Sequence, residues 1–553
     1  MNAGGVLRWP ARLVFAVAFA MTVVMVPSPA RAAYALIEGD GSTWSQGIVN
    51  QWIADVKPRG MQVVYSGIGS SGGRKSFTNS QDDFAISEIP FQGTDPVTME
   101  ADASPNRPYA YLPIVAGGTS FTYHVNQGGQ LMRDVRLSGD TLAKIFTGQI
   151  TKWNDPAIVA DNNGRSFPAT TIKPVYRSDG SGTTAQFTRW LDKQYPSIWR
   201  SLYSKGGMTS NYPSFRGAVG ANGSDQVMNT IAASSGDGTI GYVEYSYALN
   251  KNYPVVKVLN AAGYYVEPTA FNVAVALTKA RIDTSDPSSV NYLTQILDDV
   301  YANADPRAYP LSSYSYMILP VGSSDKRLTT AKRQTLVDFM TYGLCEGQKQ
   351  AAPYGYSPLP LNLVQAGMTQ LARLKSADAG VSIDQVDPTK CGNPTFVAGD
   401  LSRNHLAEIA AQPKDCDKQG AGPCLGSGQS GSNGGGGGNG NGSGGNGSGS
   451  GGSGDGSGGT GDGSGTAGDG SGGDVPLGAD GQPLIDPETG LPVGTGNGDG
   501  TSATSGSVST TIAARPAVGS AVFAGLSAAE LVALVVVPGM LAARRRGATG
   551  QVP

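Results

Sequence analysis

The sequence predicts an α/β fold in two lobes, with a mixed or parallel sheet carrying helices on its faces. Three observations predict it. Strand-like and helix-like runs alternate through residues 34–395. That stretch, some 360 residues, exceeds what one core comfortably fills. And three strand-to-helix junctions share one Ser/Thr/Gly chemistry.

The strand signals come in order as "MQVVYSGIG" (61–69), "DDFAIS" (82–87), "YAYLPIVAGG" (109–118), "SFTYHV" (120–125), "TIKPVYRS" (171–178), "GTIGYVEY" (238–245) and "SYMILPVG" (315–322). Each is rich in β-branched or aromatic residues, and several end on glycine or another turn former. Helical patterns lie between them: "TWSQGIVNQWIADV" (43–56), "GDTLAKIFTGQI" (139–150), "TTAQFTRWLDKQY" (183–195) and "RQTLVDFMTYGL" (333–344). Alternation of this kind implies a sheet flanked by helices. Ligands of such sheets bind beyond the carboxyl ends of strands, where helices begin.

The three junctions stand at those places. "GDGSTWS" (39–45) sets Ser42 and Thr43 before a helix, "GIGSSGGRKSF" (67–77) sets Ser70 and Ser71 there, and "RSDGSGTTAQF" (177–187) sets Ser181, Gly182 and Thr183. Free backbone N–H groups, the positive end of a helix dipole and hydroxyls coincide at each. Serine and threonine are also ordinary helix N-caps, so one such junction means little. Three in one chain, with Arg177 beside the third, point to a desolvated oxyanion.

The two ends of the chain have a different character. Arg8 and Arg12, the apolar run "LVFAVAFAMTVVMV" (13–26) and the small-residue site Ala30-Arg31-Ala32 form a secretory signal over 1–32, with cleavage before Ala33. No cysteine follows the apolar run, so this is not a lipoprotein signal. Residues 425–515 are a Gly/Ser-rich, low-complexity linker that cannot bury enough apolar surface to order itself. At about 90 residues it would behave as a tether with a typical span of roughly 50 Å. Residues 517–543 are apolar and long enough to cross a bilayer, and Arg544, Arg545 and Arg546 follow directly, which places a tail over 544–553 in the cytoplasm. Glu530 opposes insertion by about 2.5–3.5 kcal/mol. A sortase signal fits less well, since "LPVGTG" (491–496) has one residue too many and lies far upstream.

Four cysteines in an exported chain favour disulfides over metal or redox chemistry. Of the three connectivities, Cys345–Cys391 and Cys416–Cys424 close the shorter loops and are preferred, the second inside an extension over 396–424. The net charge of −3, from 40 basic and 43 acidic residues, gives no reason to invoke nucleic acid.

Taken together, "GIGSSGG", "FAISEIPF", "IFTGQITKWNDPAI", "YRSDGSGTTAQFTRWL", "GTIGYVEYSYAL" and "GQKQAAPYGYSPLP" resemble the periplasmic phosphate-binding proteins of Pst-type ABC transporters, over nearly all of 35–370. "NAAGYYVEPTAFNVAVAL" and "AYPLSSYSYMIL" look like the actinobacterial branch. The resemblance implies a class II periplasmic-binding-protein fold within 33–395, with two hinge crossings. Lobe one would be about 34–113 with 268–395, lobe two about 114–267, closing over phosphate in the cleft. Carried across by position, the ligands would be Thr43 through hydroxyl and N–H, Trp44 through its N–H, and Ser70, Arg177, Ser181, Gly182 and Thr183. Asp179 would hold Arg177 through a charge-assisted pair. The family usually has Phe where this chain has Trp44, and Asp where it has Glu88. That carboxylate would accept a proton-borne hydrogen bond from phosphate, which sulfate cannot offer.

The implied role is therefore a receptor that passes inorganic phosphate to an ABC permease. It would act as a monomer, without cofactor, held to the outer face of the membrane by the C-terminal helix. A surface phosphate sensor or scavenger uncoupled from transport is the alternative, and adhesion is a further one that nothing in the folded part demands. Enzymatic readings fare badly. His124 and His405 are the only histidines, one in a β-rich run and one beyond the core. "SDGSG" departs from a nucleophile elbow because Asp179 stands where glycine is required.

Overall fold

The computed structural model describes residues 34–289, 291–422 and 424. Strand β1 (Ile37–Gly41) runs through a buried loop into α1 (Gln46–Val56). Then β2 (Val63–Gly67) feeds α2 (Ser70–Thr78), followed by β3 (Phe84–Ser87) and the long β4 (Tyr109–His124). Beyond β5 (Arg136–Leu137) and α3 (Gly139–Phe146), β6 (Lys173–Arg177) feeds α4 (Gly182–Gln194) and β7 (Val219–Ala221) feeds α5 (Gly223–Ala232). The remainder is β8 (Thr239–Glu244), β9 (Lys257–Leu259), β10 (Tyr265–Val266), α6 (Ala270–Leu277), β11 (Ser312–Pro320), α7 (Thr330–Leu344), α8 (Leu361–Ala377) and α9 (His405–Ile409), together with shorter turns.

Among the described residues one eight-stranded sheet runs β7-β6-β8-β4-β11-β3-β1-β2. Its two ends are parallel: β1 lies between β2 and β3, and β6 between β7 and β8. The antiparallel strands β4 and β11 join them. Strand β4 changes partner between Gly118 and Thr119: residues 109–118 pair with β11, and 119–124 pair with β8. Each parallel end is an α/β unit with strand ends feeding helices, so one continuous strand spans two such units.

The sequence suggests two strands, 109–118 and 120–125, broken at Gly117-Gly118. The glycines serve close approach instead. A Cβ at Gly117 would stand 2.7 Å from the Trp44 ring, and one at Gly118 would stand 2.5 Å from Pro268. The helix expected over 139–150 ends at Phe146, because Gly148 takes a left-handed φ of 76°. Helices α5, α6 and α8 are additional to the expected ones. Helix α6, "AFNVAVAL", is apolar except at Asn272 and almost wholly buried, so it carries little amphipathic period.

Cys345 pairs with Cys391 and Cys416 with Cys424. The extension folds back on the body. Arg307 Nη1 donates to the carbonyls of Ala407 and Ala410 at 3.1 and 3.0 Å, tying down α9. Farther on, Arg136 Nη1 donates to Cys416 O at 2.7 Å, and Lys257 pairs with Asp417 at 3.1 Å. Among the described residues no helix is long and apolar enough to cross a membrane. The expected signal peptide, Gly/Ser linker, 517–543 span and cytoplasmic tail lie outside the described residues.

Candidate functional site

Four strand-to-helix junctions meet: those after β1 and β2 from one end of the sheet, and those after β6 and β7 from the other. Thr43, Trp44, Ser70, Glu88, Arg177, Ser181 and Thr183 are each at most 3% exposed. Burial of this kind is unusual for arginine and glutamate unless they are paired.

Arg177 closes β6 and is held within its own loop. Its Nε donates to Asp179 Oδ1 at 2.7 Å, and its Nη2 donates to Asp179 Oδ2. Burial alone would raise the Asp179 carboxyl, but the hydrogen bonds and charge of Arg177, with the Gly223 N–H at 2.9 Å, bring it below the ordinary range. The third guanidinium nitrogen, Nη1, donates to Ser224 Oγ at 3.2 Å. Ser224 also lies 2.9 Å from Thr43 Oγ1, and its N–H donates to that hydroxyl at 3.2 Å. A chain of hydrogen bonds thus runs from Asp179 through Arg177 and Ser224 to Thr43, from one sheet end to the other.

A second chain runs in parallel. The Gly182 N–H, at the first turn of α4, donates to Ser70 Oγ at 3.1 Å, and Ser70 Oγ donates to Glu88 Oε2 at 2.7 Å. Glu88 Oε1 accepts from Ser315 Oγ at 3.0 Å. Its main chain is fixed as well, since its carbonyl accepts from Gln186 Nε2 at 2.8 Å and Gln295 Nε2 at 3.0 Å. The carboxylate abuts α4 so closely that a Cβ at Gly182 would stand 2.1 Å from Oε2. Negative charge at a helix N-terminus is favourable there.

The remaining expected residues divide by partner. Ser181 caps α4, its Oγ accepting from the Thr184 N–H at 3.2 Å. Thr183 Oγ1 is buried and finds no hydrogen-bond partner among the described residues. The Trp44 N–H donates to Ser42 Oγ at 2.9 Å, inside its own loop. Its indole packs edge-on against Tyr356 at 5.7 Å and fills the space that Gly117 leaves open. His124 is structural: one ring nitrogen lies 2.8 Å from Ile231 O and the other 3.1 Å from Asn126 Nδ2.

Sequence reasoning missed Ser224 and Ser315. Ser224 was findable, because "GANGSDQ" (220–226) has the same strand, glycine and serine order as the other junctions. Ser315 was not. It sits within a strand buried at every position, where nothing local separates it from Ser312 or Ser313.

Buried hydroxyls, helix-end N–H groups, one guanidinium braced by Asp179 and the Glu88 carboxylate, drawn from two α/β units, define a ligand-binding protein rather than a hydrolase. A family model described as a PBP superfamily domain matches residues 26–346. The phosphate-binding protein PstS of Xylella fastidiosa is 32% identical over 341 residues, covering 61% of this chain and 85% of that protein. Phosphate-binding protein PstS 2 of Mycobacterium tuberculosis is 32% identical over 332 residues, covering 59% and 83%. A solved phosphate-binding protein from Stenotrophomonas maltophilia shares 18% identity over 63% of this chain and 99% of its own, with a TM-score of 0.45. The chain belongs to the PBP superfamily and, within it, to the PstS family.

Proposed function

We propose that this chain is an extracytoplasmic receptor that binds inorganic phosphate between two lobes and delivers it to an ABC permease for import. One observation carries the proposal. A donor set and a single acceptor carboxylate, contributed by both ends of the sheet, are buried together at the carboxyl ends of strands. Donors alone would suit any oxyanion. A carboxylate acceptor among them suits an anion that brings a proton, as phosphate does near neutral pH and sulfate does not.

In this reading Thr43, Arg177, Ser181 and Thr183 donate to phosphate, together with the N–H groups of Trp44, Ser70 and Gly182, while the Ser70 hydroxyl keeps its proton on Glu88. Asp179 steers Arg177, and Glu88 accepts a hydrogen bond from the proton on phosphate. The unpartnered Thr183 hydroxyl and the guanidinium on its Asp179 brace support it. The chain would cross between lobes near residues 113–114 and 267–268, and β4 changes partner a few residues beyond the first crossing, between Gly118 and Thr119. The receptor works as a monomer, and the linker with the 517–543 segment holds it to the outer face of the membrane.

Calorimetric titration of the purified chain with phosphate and with sulfate tests this. Phosphate binding with sulfate excluded is the expected result. A folded protein that binds neither would sink the proposal. Membrane association that survives removal of 517–553 would separately refute the anchor.

A further inference from the structure

Glu88 is one methylene longer than the aspartate its family relatives are expected to use, and the structure places that extra length in a defined setting. Its two oxygens are each engaged by one serine. Ser70 Oγ already accepts from the Gly182 N–H, so its own proton goes to Oε2. Ser315 Oγ meets Oε1 at 3.0 Å and lies 3.1 Å from Ser45 Oγ. One hydroxyl proton cannot serve both neighbours, so Ser45 donates to Ser315 while Ser315 donates to Glu88. Ser45 occupies the N-cap of α1 yet makes no side-chain capping bond. A serine at that position ordinarily accepts from its own helix, and here its hydroxyl contacts β11 instead. Ser45 and Ser315 are both fully buried, 270 residues apart in sequence, with no solvent to replace either partner.

Resting on the phosphate-binding reading above, we propose that Ser315, backed by Ser45, is a positioning and specificity-determining residue that holds the longer Glu88 as the cleft's hydrogen-bond acceptor. The geometry gives the reason. A glutamate has one more rotatable bond than aspartate, so a carboxylate fixed on one oxygen alone could swing away from the anion. Anchored on both, it keeps one free lone pair on each oxygen, and two negative groups meet wherever a ligand brings no proton. Ser315 touches no ligand donor and acts only through Glu88.

The test is the phosphate-to-sulfate affinity ratio, measured by calorimetry on wild type, Ser315→Ala, Glu88→Asp and the double variant, each checked for its thermal melt. Ser315→Ala is expected to weaken phosphate about tenfold, the scale of a lost hydrogen bond to a charged group, and to weaken sulfate far less, so the ratio falls. Loss of packing alone would lower stability without moving that ratio. In the Glu88→Asp background the shorter acid does not reach Ser315, so adding Ser315→Ala should change the ratio little. Should Ser315→Ala fold poorly, Ser45→Ala carries the test, with a smaller fall in the same direction. An unchanged ratio in Ser315→Ala or, if that variant does not fold, in Ser45→Ala overturns the assignment, as does full additivity in the double variant. Wild type failing to bind phosphate would instead overturn the reading on which it rests.

Discussion

The two walls of the cleft are built in opposite ways. On one wall Arg177, Asp179, Ser181, Gly182 and Thr183 lie within seven consecutive positions, and the arginine is oriented by an aspartate two residues away. On the other wall Glu88 is held by Ser70, Ser315, Gln186 and Gln295, up to 227 residues distant. The first wall is a local device: a strand end, a turn and a helix N-terminus suffice to form it. The second exists only when both sheet ends and β11 have come together. The cationic wall can therefore be preorganised within one α/β unit, whereas the acceptor wall is assembled by the tertiary fold. In the proposed reading, donors would supply affinity for any oxyanion, and the acceptor would supply the choice among them.

Substitutions can break or sharpen that contrast. The largest effect is expected from Arg177→Ala, which removes the one buried cation from the local wall and should cost about 2–5 kcal/mol of phosphate binding. Calorimetry showing affinity equal to the parent would mean the cationic wall is misplaced. Next comes Gly182→Ala. Its methyl would stand 2.1 Å from Glu88 Oε2, so the walls could not meet without displacement, and about 1–3 kcal/mol is at stake. Small-angle scattering with saturating phosphate should then report a less compact particle than the parent.

A finer test separates neighbours on α4. Thr183→Ala should weaken phosphate by roughly 1–3 kcal/mol while leaving the melting temperature near the parent's. Ser181→Ala should in addition lower stability by about 1 kcal/mol, because Ser181 caps the helix. Equal melting temperatures for the two variants would argue against that division of labour.

The smallest effect concerns protons. Asp179 has a lowered folded pKa, so its contribution to stability is present above the ordinary aspartate value and is lost as pH falls through the folded value. Asp82 is the reverse case. Burial first, then the neighbouring Asp40 carboxylate, push it up to about 8 despite Arg107 at 3.1 Å. The native state then holds a proton that the unfolded chain releases above about 4. Stability from this pair is therefore complete at acid pH and declines as pH rises from about 4 through 8. Thermal melts of Asp82→Asn across that range should show a flatter decline than the parent, and an identical slope would remove Asp82 from the account.

Much of the fold was legible because its signals are short-range. Strand ends after β2 and β6 announced themselves by β-branched and aromatic runs closing on Ser, Thr and Gly, the junction after β1 only by Ser42-Thr43 before a helix, and Arg177 stood beside the third junction. Ser224 carries the same signal. Helix α6 was hidden for a physical reason, since a segment buried on all sides has no polar face to set a period. The continuous β4 was hidden because Gly117-Gly118 reads as a turn, whereas the ring of Trp44 and the side chain of Pro268 occupy the space where side chains would go.

The sequence by itself determined the α/β class and the hydroxyl-rich junctions with Arg177 beside the third, because each depends on residues a few positions apart, and the aspartate brace followed from the family resemblance. Only the tertiary structure decided that Ser224 would link Arg177 to Thr43, and that Ser45 and Ser315 would stand behind Glu88. Those contacts join strands and helices from remote parts of the chain, and a hydrogen bond between distant residues leaves no mark on the sequence around either partner.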